Sequence, residues 1–555
     1  MENLTSTQMS VSGLMDYFAK GRIAVPEIQR DVVWSSDQVK ELLDSISREY
    51  PCGSLILWEP RLSDKKLVKE IIRPERLEFY KDVLPKYFVI DGQQRLTALA
   101  SVMLERDFLK KLEPEIADDI FSLYVNLRNF PKDIQAASDG EAYKFPWCLL
   151  NEVFSAAIKE SSDYERLAKD VKKKVDQYIQ RIRDYQFPVQ IIQESNYPTV
   201  GKIFARVNSQ GTQLTGAEIH LASIIPYWQG ISAEFRRYRG DLRKSGYDLD
   251  LTFLMRVITV IACDVPQIKR LADRVADKKL TKPDLDRIWS EGKRAIDVVA
   301  DTLRRGLFLD KTKLFTSKNA LVPLVYYAAR SRGKKLNRDA MMKYFIVSQM
   351  GGHYSAAGET VLRRDLRYMS APGVPAIEGL QDLLGVATRE ARQEYRGLKI
   401  SYKQIAGLPS KNVILLLMYI IMRKKGATDF GSEAAALDQI SAEQLQLHHI
   451  FPFDFMMKDN KGIEYQKGKQ LSLSEYREQV NDIANLTFIS QAKNAGIGNA
   501  APWEYLPNET TRELRKAHCI PESRDLWKPE NFGKFLDARR KLLAQAMNSL
   551  IKSLH

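Results

Sequence analysis

Two kinds of apolar pattern divide the chain. Up to about residue 225, short apolar runs alternate with helical stretches. GSLILWE (53–59, behind Pro51), YFVI (87–90), FSLYVNL (121–127) and FPVQIIQ (187–193) have the length and the β-branched or aromatic content of strands. LTALASVML (96–104), TVGKIFARVN (199–208) and LTGAEIHLASII (214–225) carry apolar residues at helical spacing. Thr215 followed by Glu218 predicts a capping box at the start of the last of these. Residues 160–185 read as one long charged helix, and its KKK at 172–174 as a solvated face. From 230 to 400 the strand signals fade, and LTFLMRVITVIA, LDRIWSEGKRAIDVVADTLRRG and NALVPLVYYAAR are helical in period. The last part opens with the helix KNVILLLMYIIMRK (411–424) and then becomes irregular. These patterns predict an α+β multidomain protein: an α/β domain over 1–228, a helical linking domain over 229–400, and a further largely helical domain over 401–555. There is no internal repeat and no low-complexity linker, so the ends are expected to pack against the middle.

Composition narrows the functional classes. The chain has 555 residues, 44% hydrophobic and 28% charged, as in soluble globular proteins. No apolar run is long enough to span a bilayer, and MENLTSTQMSVSGLMDYFAK lacks the basic start and apolar block of a signal peptide. A cytoplasmic location without membrane partners is the expectation. The four cysteines, Cys52, Cys148, Cys263 and Cys519, form no CxxC pair, which speaks against structural zinc and a disulfide framework. The formal net charge of +14 favours polyanion partners, weakly when taken alone.

The densest chemistry lies near the C-terminus. Two of only six histidines are adjacent in LQLHHIFPFDFM (445–456). Neighbours on a strand point to opposite faces, so a pair serving one site needs a strand end or turn, and Pro452 suggests one. Downstream, NDIANLTFISQAKNAGIGNAAPWEYL (481–506) places Asn485 before a strand-like run and Asn494 at the start of a turn or helix. Phosphodiester cleavage asks for an activated water and charge neutralisation, which a neutral imidazole base and a cation held by imidazole and amide oxygen can provide. Taken singly, two histidines and two asparagines could equally cap turns. His518 and His555 have no comparable context and read as ordinary surface residues.

A second cluster is VIDGQQRLTAL (89–99). A strand ends, Gly92 permits an unusual backbone angle, and a helix begins, an arrangement that suits phosphate binding but is also common in ordinary proteins. Asp91 could hold a cation or orient water. Gln93 and Gln94 could orient a base, sugar or water, and Arg95 offers a guanidinium fork. VPEIQRDVVW (25–34) contributes Gln29, Arg30 and Trp34, which suit either ligand contact or a packed strand edge with Trp34 in the core. His353 and Arg363–Arg364, in GGHYSAAGETVLRRDLR (351–367), suit either DNA contact or a helix surface.

With HHIFP, NLTFIS and Lys493-Asn494 in this order, the C-terminal segment resembles the HNH, or ββα-metal, endonucleases. That resemblance implies His449 as general base, His448 in the metal-ligand place often held by Asp, Asn494 as second ligand, and Asn485 as the brace of the loop carrying His449. DGQQR, IQRDVVW, PCGSLILWE and IFARVNSQGTQLTGAEI together resemble the N-terminal domain of GmrSD-type modification-dependent restriction proteins, whose fold is related to ParB and sulfiredoxin. The architecture, with an HNH domain behind it, also resembles that of phosphorothioate-sensing phage-defence proteins. The resemblance implies nucleoside triphosphate binding and hydrolysis (GTP or ATP) by Asp91, Gly92, Gln93, Gln94 and Arg95, with Arg206 and Asn208 nearby. Gln29, Arg30 and Trp34 would contact nucleotide or modified DNA.

The combined expectation is an NTP-regulated, metal-dependent HNH endonuclease acting on double-stranded, modified phage or foreign DNA, with Mg²⁺ or Mn²⁺, or else Zn²⁺ or Ni²⁺. The alternative is a non-hydrolysing nucleotide- or DNA-binding regulator with an inactive nuclease end. RNA as substrate and a homodimer as the assembly both stay open.

Overall fold

The computed structural model describes residues 4–29, 34–60, 71–72, 80, 83–104, 123–136, 144–155, 157–194, 196–207, 214–331, 334–356, 358–407, 413–431, 435–458, 465–466 and 469–554. Arg30, Asn208 and His555 lie outside them. The chain divides into two compact units: Met1–Arg236 with Ala272–Lys282, and Arg237–Leu271 with Pro283–His555. Both sides of residue 400 fall in the second unit.

In the first unit, β1 (Leu4–Ser10), β2 (Ile23–Ala24), β3 (Leu55–Pro60), β4 (Tyr87–Asp91) and, late in the chain, Gln186–Glu194 form one mixed sheet. A smaller antiparallel sheet holds β5 (Leu123–Asn126) between β6 (Ile134–Ala136) and β7 (Trp147–Leu149). With Gln186–Glu194 as β8, the main order is β1-β8-β3-β4-β2. β3 runs parallel to β8 and antiparallel to β4, with a register irregularity between Ile56 and Leu57. Central strands are buried on both faces, which explains the unbroken apolar run at Phe88, Val89 and Ile90.

Helices α1 (Val11–Ala19), α2 (Ser36–Ser47), α3 (Gln93–Met103), α4 (Lys169–Asp184), α5 (Tyr197–Val207) and α6 (Gly216–Ile224) complete this unit. The long charged helix starts nine residues later than the sequence suggests. It buries Val175, Tyr178, Ile179 and Ile182 on one stripe, while Lys173 and Lys174 stay exposed. The Thr215 hydroxyl and Glu218 form the expected capping box of α6.

The second unit is mostly helical; among its described residues are two antiparallel strand pairs, the short one being Tyr465–Gln466 with Lys469–Gln470. Its helices are α7 (Leu251–Cys263), α8 (Lys282–Leu307), α9 (Leu321–Arg330), α10 (Arg338–Met350), α11 (Gly358–Ser370), α12 (Ala376–Glu394), α13 (Val413–Lys424), α14 (Phe453–Lys458), α15 (Leu473–Val480), α16 (Gln491–Ile497), α17 (Pro502–Glu509), α18 (Arg512–Ala517) and α19 (Phe532–Ser553). α13 is buried at every position from Val413 to Met422, as a helix apolar all round must be. The middle helices and the C-terminal part share buried polar joints. The Tyr419 hydroxyl donates to Asp310 at 2.6 Å, and Arg423 and Lys311 each reach the other Asp310 oxygen at 3.3 Å. The Asn548 amide pairs with both the N–H and the carbonyl of Ile400 at 2.9 Å. Among the described residues, no single helix is long and apolar enough to cross a membrane.

Two histidines depart from their expected settings. His518 is fully buried rather than on the surface: its ring bonds the Thr487 hydroxyl and the Thr428 carbonyl, each at 2.8 Å. His353 is also buried, so it offers nothing to DNA. Its two nitrogens face Asp365, at 2.6 Å, and Glu390. With a carboxylate facing each nitrogen, the protonated ring bridges the two. Burial alone would depress its pKa, but the two carboxylates raise it above the ordinary value. Arg363 and Arg364 are exposed, and Arg364 also bonds Asp365.

Candidate functional site

In the second unit, LQLHH forms β9 (Leu445–His449) and LTFIS forms β10 (Leu486–Ser490), paired antiparallel with Thr487 opposite His448 and Leu486 opposite His449. α16 follows directly, its N-cap Ser490 accepting from the Lys493 N–H. This places Asn494 on the first turns of a helix that leans back on β9. The His448 Nδ1 and the Asn494 Oδ1 lie 2.7 Å apart. His448 Nε2 lies 3.1 Å from the Tyr505 oxygen, and the Tyr505 hydroxyl donates to the Ile450 carbonyl at 2.9 Å. The Asn494 amide nitrogen donates to Gln446 Oε1 at 2.9 Å.

The proton count of this network is informative. The phenolic proton is directed at Ile450, so the Tyr505 oxygen is best matched by a proton on His448 Nε2. His448 has its pKa pushed down to about 4, chiefly by burial, so it carries one ring proton at neutral pH. With the ring proton on Nδ1, the 2.7 Å contact is an ordinary hydrogen bond donated to Asn494 Oδ1. With it on Nε2, Nδ1 and Oδ1 turn lone pairs toward one another, which repel unless a cation or a proton lies between them. Ligand atoms at about 2.0–2.2 Å from one metal ion are separated by roughly 3 Å when they take cis positions, and the observed spacing is close to that. In that second tautomer the pair could hold a divalent cation. The donor set is neutral and mixed N/O, which suits Mn²⁺, Ni²⁺ or Zn²⁺ more than Mg²⁺. Among the described residues, no group of three or more His, Cys, Asp or Glu is arranged to hold a metal ion, so water and substrate oxygens would complete the sphere.

His449 is turned away from that pair by the alternation of the strand. Its Nε2 lies 3.0 Å from Asn481 Oδ1, and its ring is 6.0 Å from that of Phe453. Asn481 Nδ2 donates to the Arg477 carbonyl at 3.0 Å, which fixes its oxygen toward the imidazole. His449 therefore carries its proton on Nε2 and leaves Nδ1 as the basic atom. Burial lowers its pKa while the Asn481 bond raises it, with a net decrease. The ring is neutral at pH 7.

Asn485 is completely buried and joins three backbone groups: it accepts from the Phe451 N–H at 2.9 Å and donates to the Phe451 and Val480 carbonyls at 3.0 and 2.9 Å. It thus clamps the turn that follows His449. The structure brings His448 to Asn494 and Asn485 to the histidine turn; no hydrogen bond joins His449 to either partner of that first pair. Gln446, Asn481 and Tyr505 were missed by sequence reasoning. Gln446 was within reach, since it lies two residues before His448 and so on the same strand face.

In the first unit, β4 ends at Asp91 and α3 starts at Gln93 across Gly92, whose φ is 90°. A Cβ at Gly92 would also lie 2.2 Å from a Leu55 methyl, so glycine is required for room as well as for angle. Arg95 reaches back: Nη1 donates to the Cys52 carbonyl at 2.7 Å and Nη2 to Asp91 at 3.2 Å. Gly53, at φ 78°, makes way for it.

The turn opens on a cleft of about 490 Å³ lined by Gln29, Trp34, Asp91, Gly92, Gln93, Gln94 and Arg95, and by Gln38, Glu41 and Ser45 of α2. Gln29 is buried and donates to the Val89 and Ile90 carbonyls at 2.8 and 2.7 Å, holding the end of β4. Trp34 is half-buried in a loop, not in a strand edge, and its N–H donates to Gln94 at 3.3 Å. Gln93 is only 3% exposed, yet among the described residues neither polar atom of its amide has a partner, and the Thr97 hydroxyl one turn later has none either. Arg206 lies exposed on the last turn of α5, where Val207 reaches the cleft. The contributions of α2 and Cys52 had no signal in the sequence, because they are made by fold contacts.

Over 96% of its length, the chain is 20% identical to an uncharacterized protein of Methanocaldococcus jannaschii, of which the match covers 97%. Residues 12–225 match the family profile described as the GmrSD restriction endonuclease, N-terminal domain. They run from α1 to α6, take in every strand of the main sheet except β1, and contain the whole DGQQR cleft. The chain therefore carries an N-terminal domain of the GmrSD restriction-endonuclease type.

Proposed function

We propose that this protein is an NTP-regulated, metal-dependent DNA endonuclease that restricts modified phage or foreign DNA. Cleavage is assigned to the β9–β10–α16 site and control to the DGQQR cleft. The observation that carries the reading is the 2.7 Å approach of His448 Nδ1 and Asn494 Oδ1 beside a neutral, amide-oriented His449.

In this reading His449 acts through Nδ1. It accepts the proton of the attacking water while Asn481 steadies the imidazolium that results, because the Nε2–H already points at an amide oxygen. A divalent cation held by His448 and Asn494 would neutralise phosphate charge and help the leaving oxygen. Tyr505 fixes the tautomer of His448, and Asn485 holds the turn in register. Because burial lowers its pKa, His449 keeps its lone pair available at neutral pH.

In the cleft, the unpaired Gln93 amide and Thr97 hydroxyl suit the polar edge of a bound nucleotide. The first-turn N–H groups of α3 and the Arg95 guanidinium suit its phosphates. Nucleotide can govern the nuclease only by binding the active and inactive states unequally. The choice between GTP and ATP, and of the DNA modification, follows from matched assays.

The test is nicking of modified and unmodified phage DNA with each NTP, in Mn²⁺ or Mg²⁺, by the wild type, Asp91→Ala and His449→Ala. The reading expects His449→Ala to be inactive with NTP turnover intact, and Asp91→Ala to lose turnover and nucleotide control. Normal NTP turnover by Asp91→Ala would remove the cleft from the account.

A further inference from the structure

A second cavity lies within the second unit where α13, the segment after α18, and α19 meet, lined by residues that flank the histidine motif in sequence without belonging to it. It has a volume of about 720 Å³, inside the range of small-molecule sites. Its floor is aliphatic: Ile421, Ile520, Leu542 and Leu550. Leu542 is 39% exposed, so a large apolar side chain is wet when the groove is empty. Its rim carries three exposed lysines, Lys424, Lys425 and Lys516. Lys425 Nζ finds only weak neutral partners, the Lys516 carbonyl and the Cys519 sulfur, each at 3.4 Å. Among the described residues, no carboxylate pairs with any of the three. The one acid lining the groove, Glu522, is turned to Arg515 and Arg512 at 3.6 and 3.9 Å.

We propose that this groove binds a small amphipathic anion, with its apolar body on the aliphatic floor and its carboxylate, phosphate or sulfonate among the three lysines. An apolar floor alone would accept any greasy surface; three unmatched ammonium groups at its edge select a negative head. A DNA strand fits this floor poorly, since its sugar–phosphate backbone offers no continuous apolar face to bury.

The groove is physically joined to the strand pair. His518, between Lys516 and Cys519, bonds Thr487 of β10, the residue opposite His448. Arg539 of α19 is fully buried and donates both to the His518 carbonyl, at 3.2 Å, and to the Ala484 carbonyl, at 2.8 Å. An occupant therefore stiffens the segment that supports β10.

The probe is 1-anilinonaphthalene-8-sulfonate, titrated into the full chain by fluorescence. The expected result is one saturable site per chain, emptied by decanoate and unaffected by 1-decanol. The Lys425→Glu/Lys516→Glu pair should weaken binding at least tenfold, and Ala546→Trp, which fills the groove, should abolish it. Decanoate should slow amide hydrogen exchange over residues 516–520. The proposal is overturned by no saturable site, by equal binding in all variants, or by a dimer that Leu542→Glu separates and that binds no probe. Each readout is binding rather than cleavage, so the result stands apart from the nuclease assignment.

Discussion

Replacing Gln93 by Met tests the nucleotide cleft through stability rather than turnover. The amide is 3% exposed and has two unpartnered polar atoms, each of which carries a desolvation penalty of about 1–3 kcal/mol. Methionine keeps the chain length and removes both atoms, so the ligand-free variant should be more stable by about 2 kcal/mol, allowing for partial relaxation. In a unit of about 250 residues, that corresponds to roughly 4–8 °C in Tm. Nucleotide at a hundredfold excess over its Kd would stabilise the wild type by about 2.7 kcal/mol. The variant, having lost the amide contacts, should show little of that shift. Thermal melts of both proteins with and without GTP and ATP decide the matter. A variant that melts below the ligand-free wild type, or that keeps the full nucleotide shift, refutes the claim that Gln93 is held in reserve for a ligand.

Other perturbations follow from the same geometry. Asn485→Ala removes three buried hydrogen bonds at the histidine turn and should destabilise the chain by about 3 kcal/mol, read by chemical denaturation, while abolishing nicking. His448 and His518 are buried with pKa values pushed down to about 4, so the unfolded chain binds more protons between that value and about 6.5. Stability should fall with acidification through this window, by up to the order of 3 kcal/mol for each group, and His518→Gln should flatten that limb of a pH–stability curve. His353 acts in the opposite sense. Its raised pKa stabilises below about pH 6.5 and is lost as pH rises through the folded value, so His353→Gln should selectively reduce stability at low pH. Gly53→Ala puts a Cβ 2.3 Å from Arg95 Nη1 at a positive φ. It should cost about 1–3 kcal/mol and weaken nucleotide binding, by isothermal calorimetry, more than substitution at the exposed Arg206.

The sequence disclosed most where local physics decides. The strands at 87–90, 187–193 and 486–490, the turn at Gly92 and the capping box at Thr215 all follow from neighbours a few residues apart. Tertiary contacts decided the rest. His518 looked like a surface residue because its two partners, Thr487 and Thr428, are 31 and 90 positions away. His353 gained its role from Glu390, on a helix 37 positions later. A doublet of histidines pointed to a site, but strand alternation separates the hydrogen-bond partners of His448 and His449. The amides that face them, Asn494 for His448 and Asn481 for His449, are joined to them only when β9 and β10 pair. The packing of the middle helices with the C-terminal region rests on Asp310, Tyr419 and Asn548, whose pairing no periodicity reveals.

Nicking of supercoiled plasmid under single-turnover conditions, with the cation varied, bears most directly on the central claim. The wild type should nick in Mn²⁺ and stop in excess chelator. His449→Ala should lose about 10²–10⁴ in rate as a missing general base, and Asn494→Ala should need far more cation. Undiminished cleavage by both variants, or cleavage indifferent to chelator, would contradict it.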